Sequence, residues 1–180
     1  MQGTFPADPR WFAVELTPVN APWVFHRGEG QRAIASLELF ASLICVMMFV
    51  PQHVGGVLAS FCLTGSTDNQ GNSYVVQKLM SSKFPLCVVL MELVEQLDIR
   101  GAWLDLKWVP REENSEADDL SNFKVGGFSP DKELHVDLEA FEWRVLPEFM
   151  QAGMEFQASR GRCRPPVKKA RNDFRVLNPW

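Results

Sequence analysis

Three acids stand where the chain passes from one local pattern to another. Glu38 lies in "IASLELFASL", Asp68 in "STDNQGN", and Asp118 in "REENSEADDLSN". Carboxylate and water oxygens are the ligands that Mg²⁺ and Mn²⁺ prefer. Carboxylates brought together cannot all stay ionised without a counter-charge. Two such ions, roughly 3.5–4 Å apart, can activate a water and stabilise the leaving oxygen of a phosphodiester. The chain holds 22 Asp and Glu, so a triplet alone proves nothing, and each acid has a plainer use. Glu38 can form an ion pair at the rim of the core. Asp68 can make an Asx turn. Asp118 can complement the dipole of a first helical turn.

The acids gain meaning from the elements that must hold them. "RWFAVELTP" and "APWVFHRG" read as two strands, rich in aromatic and β-branched residues and bounded by turn formers. "GQRAIASLELFASLICVMMF" reads as a helix, with Ile34, Leu37, Ala41, Ile44 and Met48 at helical spacing. Glu38 follows Ile34 by one turn, so its carboxylate leans toward the packed side. "VLASFCL" is apolar enough for a strand buried on both faces, with a helix not excluded by periodicity alone, and is closed by turn chemistry at "TGSTDNQGN". "SYVVQKLMSS" and "FPLCVVLMELVEQLDIRG" read as helices, the second with Leu90, Leu93, Val94 and Leu97 on one side. "AWLDLKWVP" alternates Trp103 and Asp105 with Leu104 and Leu106, a strand pattern. The acidic stretch behind it opens another helix. An amphipathic helical segment follows Gly127, with Pro147 at a break.

The 180 residues suit one domain with appendages. Seven Lys and Arg against one acid lie between Arg160 and Arg175, while the rest carries 11 basic and 21 acidic residues. The body is acidic and the tail basic, and Arg160, Arg162, Arg164, Lys168, Lys169 and Arg171 are the candidate nucleic-acid contacts. A solvated, disordered terminus explains the same residues equally well. Cys45, Cys62 and Cys87 lie in apolar runs and read as small buried hydrophobes in a reducing compartment. "LFASLICVMMFV" is too short for a span of about 20 residues, so it reads as a core helix and no membrane partner is expected. The N-terminus has no secretory pattern, and an intracellular location, cytoplasmic or nuclear, is expected. His26, His53 and His135 show no metal-ligand spacing. Trp11, Trp23, Trp103 and Trp108 fall in expected strands, where packing is the plainer reading than base stacking.

"IASLELFASL", "STDNQGN" and "WVPREENSEADDLSN", in that order, resemble the ribonuclease H domain of reverse-transcribing retroelements, closest to the retrotransposon versions. The last motif is the most specific. The resemblance implies an α/β fold, a mixed sheet flanked by helices. It covers about Arg10 to Asn122 and implies residues 10–125 as the ribonuclease H-like domain; the change of texture at Gly126 marks 126–157 as a helical C-terminal extension and 158–180 as a basic, disordered tail. It implies an ancestral activity: hydrolysis of the RNA strand of an RNA–DNA hybrid, assisted by two Mg²⁺ or Mn²⁺ ions. The hybrid would be the partner, beside an adjoining reverse transcriptase domain. Glu38, Asp68 and Asp118 would be both the metal ligands and the catalytic residues, with Asp119 the second choice for the last. Asn114 would cap the helix so that Asp118 projects inward, and Asn69 and Gly71 would shape the turn after Asp68. The family's first strand, with its own aspartate, has no match. The expected domain is therefore N-terminally truncated: a metal-dependent endonuclease if that strand is supplied from elsewhere, and otherwise an inactive nucleic-acid-binding or protein-interaction relic.

Overall fold

The computed structural model describes residues 9–26, 33–52 and 60–163, side chains to 160. Along these run α1 (Pro22–Phe25), α2 (Ile34–Phe49), β1 (Phe61–Thr67), α3 (Gln70–Lys78), α4 (Leu86–Ile99), β2 (Ala102–Trp108), α5 (Ser115–Ser121) and α6 (Leu146–Cys163). The architecture is α/β, with helices flanking a short sheet. Among the described residues that sheet is one parallel pair, β1 beside β2, in register from Phe61↔Ala102 to Thr67↔Trp108. The α3–α4 segment makes the crossover that parallel neighbours require. Leu63, Leu104 and Leu106 join the core from one face of the pair. Cys62, Thr64 and Ser66 alternate with them and stay exposed, as do Trp103, Asp105 and Lys107. Gly65 lies opposite Leu106, and a β-carbon there would stand 3.2 Å from a Leu106 methyl.

The two strands expected before residue 27 do not form. Residues 12–17 are irregular, and Trp11 makes a single parallel bridge to Glu133. Thr17 donates its N–H to Asn20 Oδ1 at 2.7 Å, which turns the chain, and Pro22 then opens α1. Proline fits a first helical turn because its missing N–H would be unpaired there. Trp23 and Val24 are both buried. Adjacent residues of a half-buried strand point to opposite faces, so this pair suits a helical turn and not a strand.

The core lies between α2 and α4, which pack against each other. Leu39, Leu43 and Val46 of α2 are buried, as are Val89, Leu93 and Leu97 of α4. The buried row of α2 is rotated from the expected one: Ile34 and Ala41 are exposed, although Ile44 is buried. That segment is apolar all round, so its own periodicity is weak and α4 decides which side is covered. Cys45 and Cys62 are exposed rather than buried, and Cys87 is half-buried. "TGST" belongs to β1 and not to the turn behind it; residues 57–59 of the expected strand lie outside the described part.

Apolar residues from Val136 to Met154 pack onto the same core. Trp143 stacks on Phe40 with ring centres 5.8 Å apart, and α6 contacts α1 and α4. Pro147 sits in the first turn of α6 and starts the helix instead of breaking it. The helix continues to Cys163, so the tail expected from 158 begins as helix.

A buried polar row on α4 ties these pieces together. Glu92 is wholly buried. Its carboxylate accepts the N–H groups of Arg144 (3.1 Å), Val145 (2.8 Å) and Leu146 (2.8 Å) at the start of α6. Gln96 donates to Glu92 Oε1 at 2.7 Å and to the Glu142 carbonyl at 2.9 Å. Arg100 donates to Gln96 Oε1 at 2.6 Å and to the Val50 carbonyl, just past α2, at 2.7 Å. Burial first, and the charge of Arg144 second, push the Arg100 pKa below its ordinary value.

Candidate functional site

The end of the parallel pair holds Asp68, with Glu38 within reach of its charge. Thr67 closes β1, and Asp68 follows it directly. The indole of Trp108, the last residue of β2, donates to the Asp68 carbonyl at 3.1 Å and fixes the backbone there. Asn69 turns the chain into α3: its side chain accepts the Asn72 N–H at 3.2 Å as an N-cap. A β-carbon on Gly71 would approach Asn69 Oδ1 to 3.0 Å, so this position favours glycine. The cap is thus Asn69, which leaves the Asp68 carboxylate free for other contacts.

Asp68 Oδ1 accepts from the Asn114 side-chain amide at 3.2 Å. Asn114 occupies the N-cap position of α5, as expected, but its side chain makes no cap hydrogen bond. It joins the start of α5 to the end of β1. Glu38 arrives from α2, half-buried. Its Oε2 accepts from the Asn72 amide at 3.3 Å, and the same amide donates to the Ala35 carbonyl at 2.8 Å. Burial raises the Glu38 pKa above the ordinary carboxylate value. A hydrogen bond from Asn69 opposes the rise, the Asp68 charge adds to it, and the Arg111 charge opposes it.

Asp118 is oriented differently from the expectation that it would complete a metal set. Its Oδ1 accepts from Arg111 Nη2 at 2.5 Å. Asp118 is the first cause of a raised Arg111 pKa, and Asp68 and Glu112 contribute further. Arg111 therefore lies within electrostatic reach of Glu38, Asp68 and Asp118 together. Sequence reasoning left Arg111 out; its signal was a lone cation among "REENSEADD". Asp119, the second choice, faces Lys124 at 3.4 Å.

Among the described residues, no three His, Cys, Asp or Glu side chains form a group able to hold a metal ion. The side chains as arranged do not fit the divalent ion that the resemblance implies. Two carboxylates, Glu38 and Asp68, face one another's charge, while the third is engaged by a guanidinium.

Of the basic residues assigned to nucleic acid, Arg160 is exposed on α6 and lies over the Phe156 ring at 5.6 Å. Arg162 falls within α6. Arg164, Lys168, Lys169 and Arg171 lie outside the described residues, as does His53. Trp103 is 63% exposed on the open face of the sheet. A shallow groove of about 320 Å³, lined by Leu79, Met80, Leu90, Met91 and Val94 among others, shares no residue with the acidic edge. No described helix is long and apolar enough to cross a membrane.

No family model matches the chain, and comparisons with curated proteins and with solved structures give no significant match.

Proposed function

We propose that this chain is a ribonuclease H-like domain of retroelement descent, which binds RNA–DNA hybrid and is impaired in cleaving it. One observation carries this reading. What supports it is that Glu38 on α2 and Asp68 at the end of β1 lie within reach of each other's charge, with Asp118 in the following α5, where it accepts from Arg111. The ancestral activity is hydrolysis of the RNA strand assisted by two divalent ions. Here the edge offers two neighbouring carboxylates rather than a metal-holding set, so cleavage is weak or lost while the scaffold persists. Hybrid would be recognised through shape, phosphates and 2′-hydroxyls. Basic side chains from Arg160 onward would supply a salt-sensitive part of the affinity.

The test uses a fluorescent RNA–DNA hybrid. Binding should fall steeply as salt rises, and cleavage in Mg²⁺ or Mn²⁺ should be slight. Absence of hybrid binding at low salt overturns the proposal. Vigorous cleavage abolished by Asp68→Asn would refute the impairment while keeping the fold and site assignments.

A further inference from the structure

The long side of β1 is open. Among the described residues β1 has one neighbour, β2. The Phe61 N–H donates to the Gly101 carbonyl at 3.2 Å, and the Thr67 carbonyl accepts from the Val109 N–H at 2.9 Å. In a parallel ladder every second residue of a strand bonds to the neighbour, so Phe61, Leu63, Gly65 and Thr67 face β2. The N–H and C=O groups of Cys62, Thr64 and Ser66 therefore point out of the sheet, and all three residues are exposed. Natural edge strands discourage pairing with charge or proline. β2 carries Asp105 and Lys107, whereas "FCLTGST" of β1 has neither charge nor proline. The helices pack on β2 more than on β1. A parallel sheet is ordinarily covered on both faces, and two strands alone are marginal.

We propose that the β1 edge pairs antiparallel with β1 of a second copy of this chain, on a two-fold axis at Thr64. The symmetry of the strand points to self-pairing. With Thr64 opposite its own copy, Cys62 falls opposite the partner's Ser66, and each such pair exchanges two N–H···O bonds. Every outward N–H and C=O of both strands is then bonded, and any other register leaves some unpaired. No like charges meet, because the strand is uncharged. On the core side Leu63 lies beside the partner's Gly65, which has no side chain to collide with it. The contact is isologous, so it closes at two copies. It yields one four-stranded sheet in the order β2–β1–β1–β2. This inference goes beyond the nucleic-acid reading and does not depend on it.

The experiment follows the full-length protein by sedimentation and light scattering over a dilution series. Reducing buffer keeps the exposed Cys45 and Cys62 from linking copies. The mass should rise with concentration from one chain to two. Thr64→Lys sets two like charges opposite each other at the axis and should weaken the dimer by about tenfold or more. Thr64→Val, which keeps the β-branched shape, should leave it intact, and circular dichroism checks that both variants fold. Amide hydrogen exchange on the natural protein gives a readout that needs no variant: the Cys62, Thr64 and Ser66 N–H groups should become protected as the dimer forms. A single-chain mass at every concentration overturns the proposal, and protection of those amides in that single chain would show that a segment of the chain itself covers the edge. A dimer that leaves them unprotected, or that is as strong with Thr64→Lys, joins through another surface and also overturns it.

Discussion

Replacing Glu92 by alanine removes the acceptor on which the start of α6 depends. Three backbone N–H groups, of Arg144, Val145 and Leu146, point at that carboxylate, and the Gln96 amide is the fourth donor. Each donor left unpaired in the interior costs about 1–3 kcal/mol, although such costs are not additive. The lost carboxylate was itself expensive to bury, which offsets part of the sum. Breaking a buried charged cluster from one side typically costs about 3–5 kcal/mol, and that is the expected destabilisation here. For a chain of this size it corresponds to a fall in melting temperature of roughly 6–20 °C. Thermal and urea unfolding followed by circular dichroism measure it. Total stability of a domain is only about 5–15 kcal/mol, so the alanine variant can fail to fold. Glu92→Gln keeps one acceptor oxygen and should fall between the two, giving a measurable point in either case. If the alanine variant melts within about 1 kcal/mol of the natural protein, the carboxylate does not hold α6 and the argument fails.

Two further perturbations follow from local geometry. Burial raises the Glu38 pKa, so its ionised form is the strained one in the folded state. A group with a raised folded pKa contributes stability below its unfolded value, and this is lost as pH rises through the folded value. Glu38→Gln should therefore gain on the natural protein as pH rises from the carboxylate range to neutrality; parallel melting curves across that range would contradict it. Gly153→Ala places a β-carbon 2.1 Å from the Phe84 ring, which must move. The expected loss is about 1–3 kcal/mol in a urea melt, reduced when Phe84→Leu is added. No loss would mean that the α6 contact with this ring is loose.

What sequence could tell depended on how local the cause was. β2 was legible because Leu104 and Leu106 alternate with Trp103 and Asp105, and the buried and exposed sides follow that order. α4 was legible from helical spacing, but its most demanding residue was not. Glu92, Gln96 and Arg100 form an i, i+4, i+8 stripe beside Leu93 and Leu97, and a polar stripe on the covered side was the available signal. Its meaning depends on the N–H groups of α6, some 50 residues away, which no local pattern contains. The segment before residue 27 failed for the reverse reason. Its aromatic and β-branched residues satisfied strand propensity, but strands need partners, and Pro22 with the Thr17–Asn20 turn favoured a helix. At the acidic edge, Asp68 was placed correctly at the end of a strand. The use of Asn114 as a strut to Asp68, and of Arg111 as the neighbour of Asp118, depends on rotamers and distances that residue order does not encode.

The polar stripe also constrains where such a chain can be shortened. One end of it fastens the last helix, and the other grips the carbonyl that follows α2. A product stopping upstream of Arg144 would keep every acid of the edge and still leave the buried Glu92 side chain without its three backbone donors. The segment that reads as an appendage in the sequence is thus fastened to the same interior as the rest.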